Sequence, residues 1–353
     1  MLKKTTLSKK FKWDISYAAI LKIIVVIALL IFLYLIRDIL LILFVAFIVA
    51  SAIIPAVNKM ESKGIPRFLS VLLLYLVLIS IITTAVILIA PPISSQVSQL
   101  AGNLPEYYHR ADMWFQGLQD LGIGAESTSF DSLIQSNWSA ILGSGRAIFS
   151  TVGGVLGGLF AAILALVIAF YISVQKDSLV RLLRLLIPKK KNRVTAEEII
   201  TKIQEKMGAW LKGQLLLCLI IAVLCYIGLT ALGIKYALVL ALIAGITEIV
   251  PYVGPFVGAV PAILVALTQS PLLALLVIIL YTLVQQLENA FITPNIMRKA
   301  IGLNPIITIV AIVAGGKLAG IGGAIIALPL AVTVSILLKS TWKHRAVTKA
   351  PHA

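Results

Sequence analysis

The chain has 353 residues, of which 60% are hydrophobic and only 12% charged, with a mean hydropathy of +1.05. That leaves too few charges to clothe a soluble domain, so the unit of reading becomes the run of about 20 apolar residues that crosses a bilayer. The net charge of +16 would suggest nucleic-acid binding in a soluble protein; here the basic residues sort by membrane side, which points to anionic membrane lipids and to no nucleic acid.

Lys3, Lys4, Lys9, Lys10 and Lys12 precede an apolar run, Ile15 to Ile36, that is longer than a signal-peptide core and lacks a small-residue cleavage site. It reads as a first span. Arg37-Asp38 is expected to make a tight turn into a second span at 39–57, and a third follows at 68–90. Residues 1–92 form an N-terminal three-span region. Residues 93–146 are an acidic insertion outside the cytoplasm, where Ile93, Val97, Leu100 and Leu104 recur at helical spacing and predict helices lying along the membrane surface. A fourth span covers 147–174. Residues 175–212 hold ten Lys or Arg and four acids. There Thr195-x-x-Glu198 is a capping box, and the stripe Ile199, Ile203, Met207, Trp210 predicts cytoplasmic amphipathic helices resting on the inner leaflet.

Residues 213–340 then change character, ahead of a cytoplasmic tail at 341–353. Runs 213–232 and 272–291 read as ordinary spans. Between them 236–268 is broken at Glu248–Pro261, and after them 305–338 is broken at Gly315–Gly323. Each half is too short to cross comfortably, and irregular backbone at that depth is tolerated only inside protein or beside water. The expected architecture is an all-α polytopic helical bundle: about six full spans plus two re-entrant hairpins in an inverted repeat, or eight spans counted conventionally. Gly254 precedes Pro261 by seven residues and Gly322 precedes Pro329 by seven, a weak internal echo that places both glycines at tips. The N-terminus, the 58–67 loop, 175–212, 293–303 and the tail from Lys339 carry 24 of the 30 basic residues, so both termini are expected in the cytoplasm.

Polar groups inside a bilayer are costly and mark function. Glu248 opens a string containing Pro251, Tyr252, Gly254, Pro255, Gly258 and Pro261, which reads either as a binding tip or as a kinked, tightly packed helix pair. Gln285, Gln286, Glu288 and Asn289, followed by Pro294, read as a polar lining of a path or as an interfacial helix end. Lys317 lies in the second broken segment among Gly315, Gly316, Gly320 and Gly323. Counted back from Pro329 it is nearly equivalent to Glu248 counted back from Pro261, so the two are expected either to approach one another in at least one transport state, or to stay apart with Lys317 at the membrane surface and Glu248 on free N–H groups of its own tip. Cys218 and Cys225 read as buried apolar side chains, and the histidines lie outside the apolar runs. The sequence carries no zinc motif, phosphate loop or nucleophile–base arrangement, so neither an enzyme nor a cofactor nor a metal is expected.

The strings Pro251-Tyr-Val-Gly-Pro255, Gln286 with Glu288, Asn289 and Pro294, and Asn304-Pro305 followed by Gly315-Gly-x-x-x-Gly-x-x-Gly323 and Pro329 resemble the autoinducer-2 exporter family of PerM-like permeases. The resemblance extends over nearly the whole chain. It implies a multi-pass inner-membrane secondary transporter and a homo-oligomer, with a pentamer among the options. It also implies export of a small polar solute such as autoinducer-2, or alternatively exchange of sodium or lithium for protons. A non-transporting membrane scaffold is the alternative from another class.

Overall fold

The computed structural model describes residues 17–84, 152–175, 190–297 and 304–348, with isolated positions 87, 91, 96, 99 and 113. Apart from those isolated positions, the surface helices expected in 93–146 lie outside the described residues, as do residues 176–189. All regular structure among the described residues is helical: α1 (Tyr17–Leu35), α2 (Arg37–Glu61), α3 (Arg67–Thr84), α4 (Val152–Val174), α5 (Lys190–Ala231), α6 (Ala237–Thr247), α7 (Gly254–Gln269), α8 (Pro271–Leu287), α9 (Thr293–Met297) and α10 (Pro305–Thr348). Five of the helical stretches are long and apolar enough to cross a membrane. Most of their large apolar side chains face outward, as lipid requires.

Small residues set the close contacts. Ala46 and Ala50 of α2 meet Ala165 and Ala169 of α4. Without a hydrophobic force between helices in lipid, such contacts depend on backbones coming near each other. α3 joins this pair through Val57, Val71 and Tyr75, whose hydroxyl donates to the Leu166 carbonyl at 3.0 Å. Arg67 fastens the α2–α3 turn: its Nε donates to the Ser173 carbonyl at 2.9 Å, and its Nη1 reaches Glu61 at 3.0 Å.

The turn expected at Arg37-Asp38 does not form. Only Ile36 leaves helical geometry, and helical bonding bridges it from Ile36 N–H to Phe32 and from Leu40 N–H to Ile36. α1 therefore continues from α2 with a bend and touches it only around the junction. A charged pair in an apolar run is compatible with a helix as well as with a turn, and nothing between Leu35 and Leu40 breaks a helix.

α5 corrects a second expectation. It is one helix of 42 residues, running without a break across the 212/213 boundary. Its stripe of Ile203, Met207 and Trp210 packs against Ile48 of α2 and Leu328 and Val332 of α10, with Ile199 beside it. The stripe is protein core and does not rest on lipid. Gly208 makes the crossing with α2, since a Cβ there would run into the Ser51 carbonyl.

The last third is built as two span-plus-hairpin units. α8–α9 packs antiparallel to α5, with Gly213 beside Met297 at one end and Gly228 beside Leu280 at the other. α6 and α7 fold back on each other after α5. The apolar end of this first hairpin holds Leu229, Leu240, Ala262, Val265 and Val277 together. The second hairpin is α10 itself, turned at Ala319–Gly320, where Gly320 takes φ +60. Its halves touch backbone to backbone at Gly315 and Gly323. Both broken segments are thus helical hairpins, and the spans feeding them run in opposite directions. Gly322 is not the residue the tip needs: a side chain there meets nothing within 4 Å, whereas one at Gly323 strikes Gly315.

Candidate functional site

The first hairpin delivers a polar tip into the protein. α6 stops at Thr247 because Pro251 and Pro255 cannot donate to the turns before them. The chain reverses through Tyr252, a non-glycine residue held at φ +66, a strained conformation of the kind that persists at functional sites. Gly254 is obligatory there, as a Cβ would overlap the Thr247 carbonyl. Gly258 lets α7 cross α6, with its Cβ position 2.8 Å from the Ala244 Cα. Tight helix packing and a presented tip, alternatives on the sequence, are both realised.

α8 supplies the facing wall by an irregularity. Pro294 has no N–H to give to Ala290, and the helix widens just before it into a π turn over Glu288–Ile292, closed by the Thr293 N–H donating to the Glu288 carbonyl. The wide turn aims Glu288 inward, where it is 7% exposed. Gln285 Nε2 donates to one of its carboxylate oxygens at 3.1 Å and Thr293 Oγ1 to the other at 3.1 Å. Gln285 Nε2 also lies 3.4 Å from Asn289 Oδ1.

Between tip and wall lies a cavity of about 440 Å³. Its lining includes Glu248, Pro251 and Tyr252 from the tip, and Gln285, Glu288, Asn289, Thr293 and Pro294 from the wall. Gln214 and Leu217 of α5, Met297 of α9, and Thr308 and Leu328 of α10 complete it. Glu248 is 2% exposed, and its Oε2 has no hydrogen-bond partner among the described residues. Among the described residues, no lysine, arginine or histidine lines the cavity. A second cavity, about 510 Å³, shares Glu248, Gln285, Glu288 and Asn289 with the first and adds Gln286, Pro255 and Phe256. The arrangement offers carboxylate, amide and hydroxyl groups to a solute; no cluster of His, Cys, Asp or Glu that could hold a metal occurs among the described residues.

The residues singled out on the second broken segment fall elsewhere. Gly315 and Gly323 line an apolar groove of about 810 Å³ on the far side of that hairpin, with Tyr34 and Arg37. Gly316 packs beside Ala324, Gly320 makes the turn, and Lys317 is exposed. Glu248 and Lys317 are not paired in this structure: among the described residues Lys317 forms no ion pair, and Glu248 faces a cavity that Lys317 does not line. Counting back from a proline fixes a position along a helix but not the side it faces. Three polar lining residues were not foreseen: Gln214, Thr293 and Thr308. Of these, Gln214 is the most buried, a 1% exposed amide at the start of an apolar run.

The chain matches the family described as AI-2E family transporter across residues 23–343. It is 32% identical over 292 residues to YueF of Bacillus subtilis (strain 168), a transport protein by name, covering 79% of this chain and 78% of that one. It is 28% identical over 307 residues to YrrI of the same organism, covering 84% of each. Against the AI-2 transport protein TqsA of Escherichia coli (strain K12) the identity is 23% over 306 residues, again 84% of each chain. With its helical membrane architecture and a polar cavity at a hairpin tip, the chain belongs to the AI-2E transporter family and is a multi-pass membrane protein of a transporter type.

Proposed function

We propose that this protein is a secondary transporter of the inner membrane that exports a small polar solute through the cavity between α5, the first hairpin and α8–α9. The observation that carries this reading is the pair of buried acids, Glu248 and Glu288, facing one cavity whose described lining residues include no basic one. Carboxyl groups at that depth are expensive, and a passive wall would be built without them. Gln285, Asn289, Thr293 and Thr308 add amide and hydroxyl groups that suit a solute with several hydroxyls, such as autoinducer-2. One relative is named for transport of that signal. Two hairpins fed by opposed spans are the framework on which alternating access is commonly built.

Exchange of sodium or lithium for protons is a second reading. It is favoured by the same two acids, which could carry a cation or a proton in turn. Purified protein in proteoliposomes separates the two. Saturable autoinducer-2 flux that falls at least about tenfold in Glu288→Gln supports solute export, since a group acting in transport is worth of order 1–3 kcal/mol. Sodium flux driven by a pH gradient supports exchange. Neither flux from folded, reconstituted protein would refute both and leave a scaffold.

A further inference from the structure

Gln214 belongs to none of the motifs above, yet it ties two elements of the site together. Its Nε2 donates to the main-chain oxygen of Glu248 at 2.7 Å, joining residues 34 apart, and the bond is buried. The carbonyl it satisfies is one that the ending of α6 leaves without a helical partner. A carbonyl only accepts, so the amide must turn its nitrogen to the tip and its oxygen away. Among the described residues that oxygen, Gln214 Oε1, has no hydrogen-bond partner, and neither has Glu248 Oε2; both residues line the first cavity.

The bond sits where the two cavities meet. Glu248, Gln285, Glu288 and Asn289 line both, so this group forms the wall between them. Gln285, Glu288 and Asn289 are held on α8 and its π turn, whereas Glu248 is held by the hairpin tip. The wall is therefore complete only while the tip is docked on α5. The tip is the part of the wall most able to move: it carries the strained Tyr252 and a six-residue turn, Glu248–Val253, outside regular helix.

We propose that Gln214 is a positioning residue for gating: its amide pins the tip of the first hairpin to α5 and keeps Glu248 in the wall that separates the two cavities. A donor group on the solute that engages the two free oxygens, Gln214 Oε1 and Glu248 Oε2, loads the same amide from its other end, which links occupancy to the latch. This deepens the transport reading, but its test needs no solute.

The test uses full-length protein with Cys218→Ala and Cys225→Ala, reconstituted in vesicles. Thr308→Cys reports on the first cavity and Thr282→Cys on the second. A small membrane-impermeant methanethiosulfonate is applied to one side at a time. With Gln214 in place, reagent from a given side should modify one reporter and spare the other. In Gln214→Met, which keeps the length but loses the donor, modification of the spared reporter should rise about tenfold, the effect of losing one buried hydrogen bond. Gln214→His, which restores an N–H at similar reach, should bring the rate back near the parental value. The proposal is overturned if both reporters react from one side while Gln214 is intact. It is also overturned if Gln214→Met leaves the rates unchanged, or if a monodisperse Gln214→His behaves like Gln214→Met. The first arm needs no Gln214 variant, so it decides even where Gln214→Met does not fold.

Discussion

The two hairpins are written in the same alphabet, glycine, proline and small apolar residues, and put to different uses. The first turns through a strained tyrosine and carries a buried acid at its tip into a polar cavity. The second turns at Ala319–Gly320, closes its halves backbone to backbone at Gly315 and Gly323, and leaves Lys317, the charge beside its turn, exposed. Glycine in the first makes room for a tip; glycine in the second makes the halves adhere. A repeat can thus conserve a shape while confining the chemistry to one copy.

The comparison is sharpest in where the hairpins open, and here the expected effect is all or none. By the sorting of basic residues, the first should open outward and the second to the cytoplasm. A single cysteine at Lys235→Cys should react with impermeant maleimide in intact cells, and Asn304→Cys only after lysis. Labelling of both in intact cells would break the inverted arrangement. Next in size is Gly254→Leu, whose side chain would have to occupy the place of the Thr247 carbonyl. It should cost roughly 3 kcal/mol or more, beyond ordinary overpacking because backbone must move, and should abolish flux. Gly322→Leu should keep both stability and flux, since its Cβ meets open space. Thermal unfolding of the two variants in one detergent makes the contrast direct.

A smaller contrast concerns charge. Glu248→Gln should lower flux about tenfold, of the order of one strong polar interaction, while Lys317→Gln should leave it within about twofold. Recovery of flux by the swap Glu248→Lys with Lys317→Glu would restore the pairing that the structure does not show. Smallest of all is Gly316→Ala. Its Cβ would rest 3.8 Å from the Ala324 Cβ, an ordinary contact. Helix stability should be unchanged or raised by about 0.5–1 kcal/mol, visible as a slightly higher melting temperature.

Much of this was legible in the order of residues. Apolar runs announce spans because lipid admits little else, and Glu248, Gln285, Glu288 and Asn289 stand out because polar groups interrupt those runs. Pro251, Pro255 and Pro294 announce breaks because a missing N–H acts locally. What was not legible depends on facing. Gln214 lies two residues from Lys212 and so resembles the edge of a span. In the string Gly320-Ile-Gly-Gly323, only the folded backbone shows that position 323 makes the close contact and position 322 does not. Lys317 and Glu248 match in distance from a proline but not in direction. The stripe of α5 has the same period whether it meets lipid or protein, and only α2 and α10 in place show which.

The crossing of α2 and α5 at Gly208 acts as a fulcrum. α5 is a single rod about 63 Å long by helical rise, pinched there against the Ser51 carbonyl. From Lys190 to the pinch is about 27 Å, and from the pinch to Gln214 about 9 Å, a mechanical ratio near three to one. Tilting the rod by roughly 3 Å at its basic end therefore shifts Gln214 by about 1 Å, enough to stretch a 2.7 Å bond beyond hydrogen-bonding reach. A displacement at the charged end of the rod is thus reduced about threefold at the tip.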